Sequence, residues 1–485
     1  MITDLYDAGL IFFPRATIES LPDNVLLDIF DFYQEMADRM MEWHLLVRVC
    51  RRWRCLAFAS PHRLRLQLEC GLTSPGREML NVWPSMEIII IDTRSPTDLD
   101  KDCIIAAVEH RDHVCEIYLQ HVTSSLLEQL ATVMQEPFPV LRDFSLTYFG
   151  QTPAPGLPDT FLRSAPCLQS LHLAGIPFPA LPKFLSSARQ LVCLTLRGVP
   201  HTGYFSPEAM VTYLSGLTSL QVLNLGFQSP SSRPDRRSQR PLLLTRVDLP
   251  ALTLLEFTGV SEYLEDFLVR INTPVIVSTM ITFFNRVNFH IPQIFKFISR
   301  TETHESLKQA HLFFDSRSAR LSVSRPDLPR WKGPRFGGFP NVRVRCNAFD
   351  WKISFLVQIC GQLLPLLSSV ERLDITCEVG HLPPLDQQDD VDHTQWLDIF
   401  RPFIAVQSLH IRGLDALIAP ALRELTGVRA MEVLPALCSL FVTDPDTATA
   451  VRHTIGPFIT ARQLSNQPVT VHHEDEEEQI NALRY

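Results

Sequence analysis

The chain has 485 residues, more than one compact core usually holds, so two parts or an elongated repeat array are expected. A hydrophobic fraction of 46% and a mean hydropathy of +0.06 exclude a disordered chain, and a formal net charge of −9 leaves no electrostatic footprint for nucleic acid. No apolar run approaches the roughly twenty residues of a membrane span, and the eleven cysteines, odd in number and without a Cys-x-x-Cys pair, point to a reducing compartment, cytoplasm or nucleus.

Residues 1–17 read as an N-terminal extension. Its apolar stretch Leu10-Ile11-Phe12-Phe13 is too short for a signal-peptide core and follows Asp4 and Asp7 rather than basic residues. Residues 18–65 then predict two amphipathic helices. Pro22 can open the first, because its missing N–H would be unpaired in the first turn anyway, and Asp23 adds negative charge at the positive end. Val25, Leu26, Ile29, Phe30 and Tyr33 recur at helical spacing as a wide apolar stripe. The second helix places Leu45, Leu46, Val49, Trp53, Leu56 and Ala57 on one face, ringed by Arg48, Arg51, Arg52 and Arg54. So short a module cannot bury this surface unaided, so it reads as a docking element. Cys50 sits among arginines that would activate a thiol, but its place in the helix-packing pattern makes it structural.

The order Leu21-Pro22, Val25-Leu26, Ile29-Phe30 and then Val49-Cys50-Arg51-Arg52-Trp53 resembles an F-box, the module that plugs a protein into a cullin–RING ubiquitin ligase. The resemblance implies that Leu21, Pro22, Val25, Leu26, Ile29 and Phe30 contact a Skp-family adaptor. Leu45, Val49, Cys50 and Trp53 would complete that surface or support it from behind. The run Arg63 to Leu68 and the segment Asn81-Val82-Trp83-Pro84 resemble the large F-box families of mushroom-forming fungi. An N-terminal cap of a repeat array is the alternative reading of the same stripe.

Residues 66–82 are taken as a linker or cap, and 83–465 as a repeat array. There the motif apolar-x-x-apolar-x-apolar recurs, at Val114-Ile117-Leu119, Leu141-Phe144-Leu146, Leu168-Leu171-Leu173, Leu191-Leu194-Leu196, Leu220-Leu223-Leu225 and Leu252-Leu255-Phe257. Weaker copies follow at Leu307-Ala310-Leu312, Phe339-Val342-Val344, Val370-Leu373-Ile375, Val406-Leu409-Ile411 and Leu437-Leu440-Val442, and Val275 to Phe284 can fill the one long gap. Helix-like segments lie between them, at 125–134, 180–188, 207–217, 263–271, 291–299, 353–367, 395–404 and 416–425. Strand then helix about every thirty residues is a solenoid signature.

The repeats resemble irregular leucine-rich repeats, with a glycine followed by an apolar residue where Asn or Cys is usual: Gly175-Ile176, Gly198-Val199, Gly259-Val260, Gly413-Leu414. The expected fold is therefore α/β, an N-terminal helical F-box followed by an irregular leucine-rich-repeat-like solenoid with parallel strands on the concave face and helices on the convex face. A doubly wound enzyme is weakened by 19 glycines against 36 prolines and by the lack of a Gly-x-Gly-x-x-Gly turn.

Period-two alternation turns Tyr118, Ser145, His172, Thr195, Asn224, Glu256, Asp374, His410 and Phe441 toward the concave face, where they are candidates for binding a protein substrate. Arg233, Arg236, Arg237, Arg240 and Arg246 form a basic loop, Pro383 to Asp392 a second loop, and residues 466–485 an acidic tail. No nucleophile elbow, phosphate loop or metalloprotease helix occurs, so no catalytic, cofactor or metal residue is assigned. The expectation is a non-catalytic substrate receptor, with a Skp-family adaptor, through it a cullin, and a protein substrate as partners. A scaffold outside ubiquitination is the alternative.

Overall fold

The computed structural model describes residues 18–36, 43–60, 65–71, 76–82, 86–92, 99–232, 246–284, 291–298, 307–325, 340–378, 393–425, 429, 431–442 and 453–473. At the N-terminus, helices Asp23–Met36, Trp43–Val49 and Arg51–Ala59 pack together. The second predicted helix is thus two helices. The break is at Cys50, whose backbone is extended (φ −155°, ψ 171°) and whose Sγ accepts the Trp53 N–H at 3.4 Å as an N-cap. Leu26, Phe30, Leu46, Trp53 and Ala57 are buried between the helices, with the Phe30 and Trp53 rings 4.9 Å apart. Arg52 locks the ends together: its Nη2 donates to the Leu21 carbonyl at 2.6 Å and to Asp23 at 2.5 Å.

The remainder is built on strands β1 (Arg65–Cys70), β2 (Glu87–Asp92), β3 (Val114–Val122), β4 (Asp143–Tyr148), β5 (Ser170–Ala174), β6 (Cys193–Val199), β7 (Val222–Phe227), β8 (Val247–Asp248) and β9 (Leu254–Gly259). It continues with β10 (Ile271–Asn272), β11 (Ser278–Phe283), β12 (Gln309–Asp315), β13 (Ser318–Ser324), β14 (Pro340–Arg345), β15 (Arg372–Cys377), β16 (Ser408–Arg412), β17 (Ser439–Val442) and β18 (Thr470–His473). Sixteen of these form one sheet, and the short β8 and β10 pair separately in parallel. From β3 to β9 each repeat motif puts its last apolar residue in register with its neighbours, and Leu119, Leu146, Leu173, Leu196, Leu225 and Phe257 run straight across to Ile281 of β11, all buried. Burying each such side chain stabilises by about 1.5–3 kcal/mol, and only adjacent units supply the cover. Strand order advances in one direction from β1 to β11, and because parallel crossovers share one hand, such an order carries their helices along one face. Most neighbouring helices touch one another, among them 101–109 with 124–133, 207–214 with 261–268, and 349–362 with 393–400.

Two departures from the sequence reading follow. The sheet already begins at β1, within the stretch read as linker or cap, and ends at β18, within the stretch read as tail. More consequential is an inversion in the middle. The copies at Leu312 and Val344 are strands parallel to the array, as expected, but they are not neighbours and lie in reversed order: β11-β14-β13-β12-β15. β12 pairs in parallel with β15 and β14 with β11, while β13, which carries no repeat motif, runs antiparallel to both. The chain skips two strand positions after β11, returns through the β12–β13 hairpin, and rejoins the array across helix Phe349–Gln362. The architecture is mixed α/β with a large, mostly parallel sheet, consistent with a leucine-rich-repeat-like solenoid that carries an antiparallel insert.

The glycine signal has a local cause. Gly175, Gly198 and Gly413 adopt φ of 72°, 59° and 74°, the left-handed region that disfavours a Cβ, so the chain turns off the strand and buries Ile176, Val199 and Leu414 beneath it. Gly259 is different: its φ is not positive, and a Cβ there would meet the Phe257 ring at 2.6 Å.

Candidate functional site

The face of the sheet away from the helices is built by strict alternation. In β2, β5 and β9 every second residue is half-buried and its neighbours are buried. All nine residues predicted for that face fall in one register row. The row passes Tyr118, Ser145, His172, Thr195, Asn224 and Glu256 on β3 to β9. It continues through Met280, Asn341, Ser322 and His311 of β11 and the insert. Asp374, His410, Phe441 and His472 then complete it to β18. Sequence reasoning missed Met280, Asn341, Ser322, His311 and His472. His311 lay within reach, between the two apolar residues of a copy already recognised. Ser322 did not, because β13 has no motif.

The row is not uniformly solvated. Thr195, Asn224, Asp374 and His410 are buried, whereas Tyr118, Ser145, His172, Glu256 and Phe441 are half-buried. Local networks fix them. Glu256 accepts from Asn224 and from Arg197 at 3.0 Å. Arg372 Nε donates to both oxygens of Asp374, at 3.2 and 3.3 Å. Phe441 is stacked between His410 (ring centroids 4.1 Å, planes 3° apart) and His472 (4.9 Å, 23°). Burial, then the charges of Glu116 and Asp143, push the Tyr118 hydroxyl well above the usual phenol range, so it stays a neutral donor.

Charge is divided along this face. Glu69, Glu87, Glu116, Asp143 and Glu256 lie on β1 to β9, where Arg142 is bidentate on Glu87 at 2.7 and 3.1 Å and Arg197 of β6 pairs with Glu256 at 3.0 Å. Arg320, Arg343, Arg345, Arg372 and Arg412 lie on β13 to β16, with Asp315 at the end of β12 and Asp374 on β15 as acids of the same open face.

The second candidate surface is the helical module. Of its ten predicted contact residues, Leu26, Phe30 and Trp53 are buried inside and cannot meet a partner; their role is to hold the helices together. Pro22, Ile29 and Val49 are exposed, Val49 by 59%, and Leu21, Val25 and Cys50 are half-buried. Phe32 at 63% and Phe58 at 38% add to the exposed apolar surface. The side chain of Leu45 lies outside the described residues. So do the arginines at 233 to 240, the loop 383–392 and the acidic run 474–478, while Arg246 is exposed. Among the described residues no group of three or more His, Cys, Asp or Glu is placed to hold a metal ion, and no helix is long and apolar enough to cross a membrane.

No protein-family model matches the chain. No curated protein matches it in sequence. Among solved structures it is similar to the leucine-rich repeat-containing protein LegL7 from Legionella pneumophila, at 11% identity and a TM-score of 0.24, over 85% of this chain and 91% of that one. A likeness at that level supports no statement about function.

Proposed function

We propose that the chain is a non-catalytic receptor: the helical module docks on a Skp-family adaptor of a cullin-type ubiquitin ligase, and the open face of the sheet holds a protein substrate. The observation that carries the reading is the division of the module's apolar residues. Leu26, Phe30, Leu46, Trp53 and Ala57 suffice as an internal core, yet Pro22, Ile29, Val49, Phe32 and Phe58 remain on the outside. Exposed apolar groups concentrated on one small unit mark an interaction surface. The resemblance of residues 18–65 to an F-box names the partner. Its work is proximity: holding a substrate lysine near a ubiquitin thioester raises its effective concentration, and the chain itself makes or breaks no bond.

A scaffold outside ubiquitination would keep the sheet's recognition face and lack the adaptor contact. Co-purification of the full chain with a Skp-family adaptor separates the two. The native chain is expected to bind, and Ile29→Asp combined with Val49→Asp to lose binding at unchanged melting temperature. Adaptor binding that survives the double substitution would remove this interface, and a native chain that does not bind would leave the scaffold.

A further inference from the structure

The antiparallel insert brings cations together in a way the parallel array avoids. Arg320 on β13 and Arg343 on β14 are direct register partners on the open face, and like charges facing each other across a strand pair are destabilising. Arg345, exposed, follows two residues along β14 on the same face. The acid that touches this group is already engaged: Asp315 accepts from Ser318 Oγ at 2.6 Å, from the Arg317 N–H at 2.8 Å and from Arg343 Nη2 at 2.9 Å. The buried Lys352 adds another positive group, its Nζ donating to the carbonyls of Asp315 and Ser316 at 2.8 and 3.2 Å. Arg320 has no hydrogen bond or ion pair among the described residues. Its guanidinium sits 5.0 Å from the centre of the Phe313 ring, and its buried Nε has no partner.

The same register row continues from Arg343 and Arg320 through Phe313 and Thr376 to Arg412. Four strand spacings separate its ends, about 19 Å at roughly 4.8 Å each, a distance that about six extended residues cover. We propose that this row is a recognition site for an extended protein segment rich in glutamate or aspartate. The repulsion between Arg320 and Arg343 is relieved by a carboxylate placed between their forks, which bind it bidentately. Arg345 takes a further carboxylate along the segment, and Phe313 packs under its backbone. A single phosphate would meet only one pair of these arginines, whereas a run of carboxylates matches the spread of the row. The acids of β1 to β4, Glu69, Glu116 and Asp143, repel the same segment and so help to fix where it lies.

The inference rests on the reading of the open face as the substrate surface, and its test is separable from the adaptor experiment. Fluorescence anisotropy with the full chain uses a labelled decapeptide carrying glutamate at alternate positions, and the same peptide with glutamine. The glutamate peptide is expected to bind at least about tenfold more tightly, with affinity falling as salt rises. Arg320→Gln and Arg345→Gln are each expected to weaken it about fivefold or more. The exposed Lys183→Gln on the helical side should leave it unchanged, and all three variants should keep adaptor binding. Arg320→Gln removes a repulsion, so its melting temperature should not fall. Equal binding of the two peptides, or glutamate binding that survives both arginine substitutions, would overturn the site while leaving the adaptor reading intact. Tighter binding of a singly phosphorylated peptide, or of a single-stranded oligonucleotide at equal charge, would overturn the choice of a carboxylate-rich segment.

Discussion

Gly413 shows how far one residue can matter. Its φ of 74° already costs an L-residue about 1–2 kcal/mol, and a Cβ there would stand 3.1 Å from the Cys377 carbonyl on the adjacent strand. Gly413→Ala is therefore expected to lower the melting temperature, and an unchanged melt would refute the left-handed turn. Asp315 gives a pH-dependent case. Burial alone would raise its carboxyl, but hydrogen bonds from Ser318 and the Arg317 N–H and the charge of Arg343 hold it below the usual carboxylate range. A carboxyl lowered in the folded state stabilises above its unfolded pKa, and that contribution disappears as pH falls through the folded value. Asp315→Asn should thus cost about 1–3 kcal/mol at pH 7. The gap in urea midpoint between variant and native chain should close in acid. A gap that is constant or wider at low pH would contradict the assignment.

At the scale of elements, the helical module separates structure from contact on the same helices. Trp53→Ala removes the ring against Phe30 and should cost about 3–5 kcal/mol, melting residues 18–59 ahead of the sheet, which circular dichroism would register as an early loss of helical signal. The sequence stripe could not divide these roles, because helical spacing marks an apolar face and not its depth. Leu26 and Ile29 belong to one stripe, but one is fully buried and the other 37% exposed. The split at Cys50 was equally hidden, since its thiol acts as a cap that no spacing rule anticipates. The strands carrying apolar-x-x-apolar-x-apolar were legible because three apolar positions at that spacing fit only a strand entering from a turn. β1 and β2 were missed, as Leu66-x-Leu68-x-Cys70 and the unbroken Ile88 to Ile91 lack the leading position. β13 escaped for the same reason, alternating Ala319, Leu321 and Val323 with no motif at all.

For the whole molecule, the row on the open face was readable in kind but not in continuity. Alternation assigned Tyr118 to Glu256 and Asp374 to Phe441 to one face, and the structure joins them across the insert through Met280, Asn341, Ser322 and His311. The inversion of β12 to β14 was not readable. Order within a sheet is set by which edges are unpaired when a strand arrives, and β12 and β14 carry the same pattern as any other unit. That inversion creates the site proposed for an acidic segment, because it places Arg320 opposite Arg343. The proposed receptor would have its two contacts on separate parts of the chain. Hydrogen–deuterium exchange of the full chain, with and without a purified Skp-family adaptor, tests that arrangement most directly. The account predicts slowed exchange confined to residues 18–59 and none along β3 to β18. Slowed exchange on the sheet instead, or none in the helical module at adaptor concentrations that saturate other receptors, would contradict it.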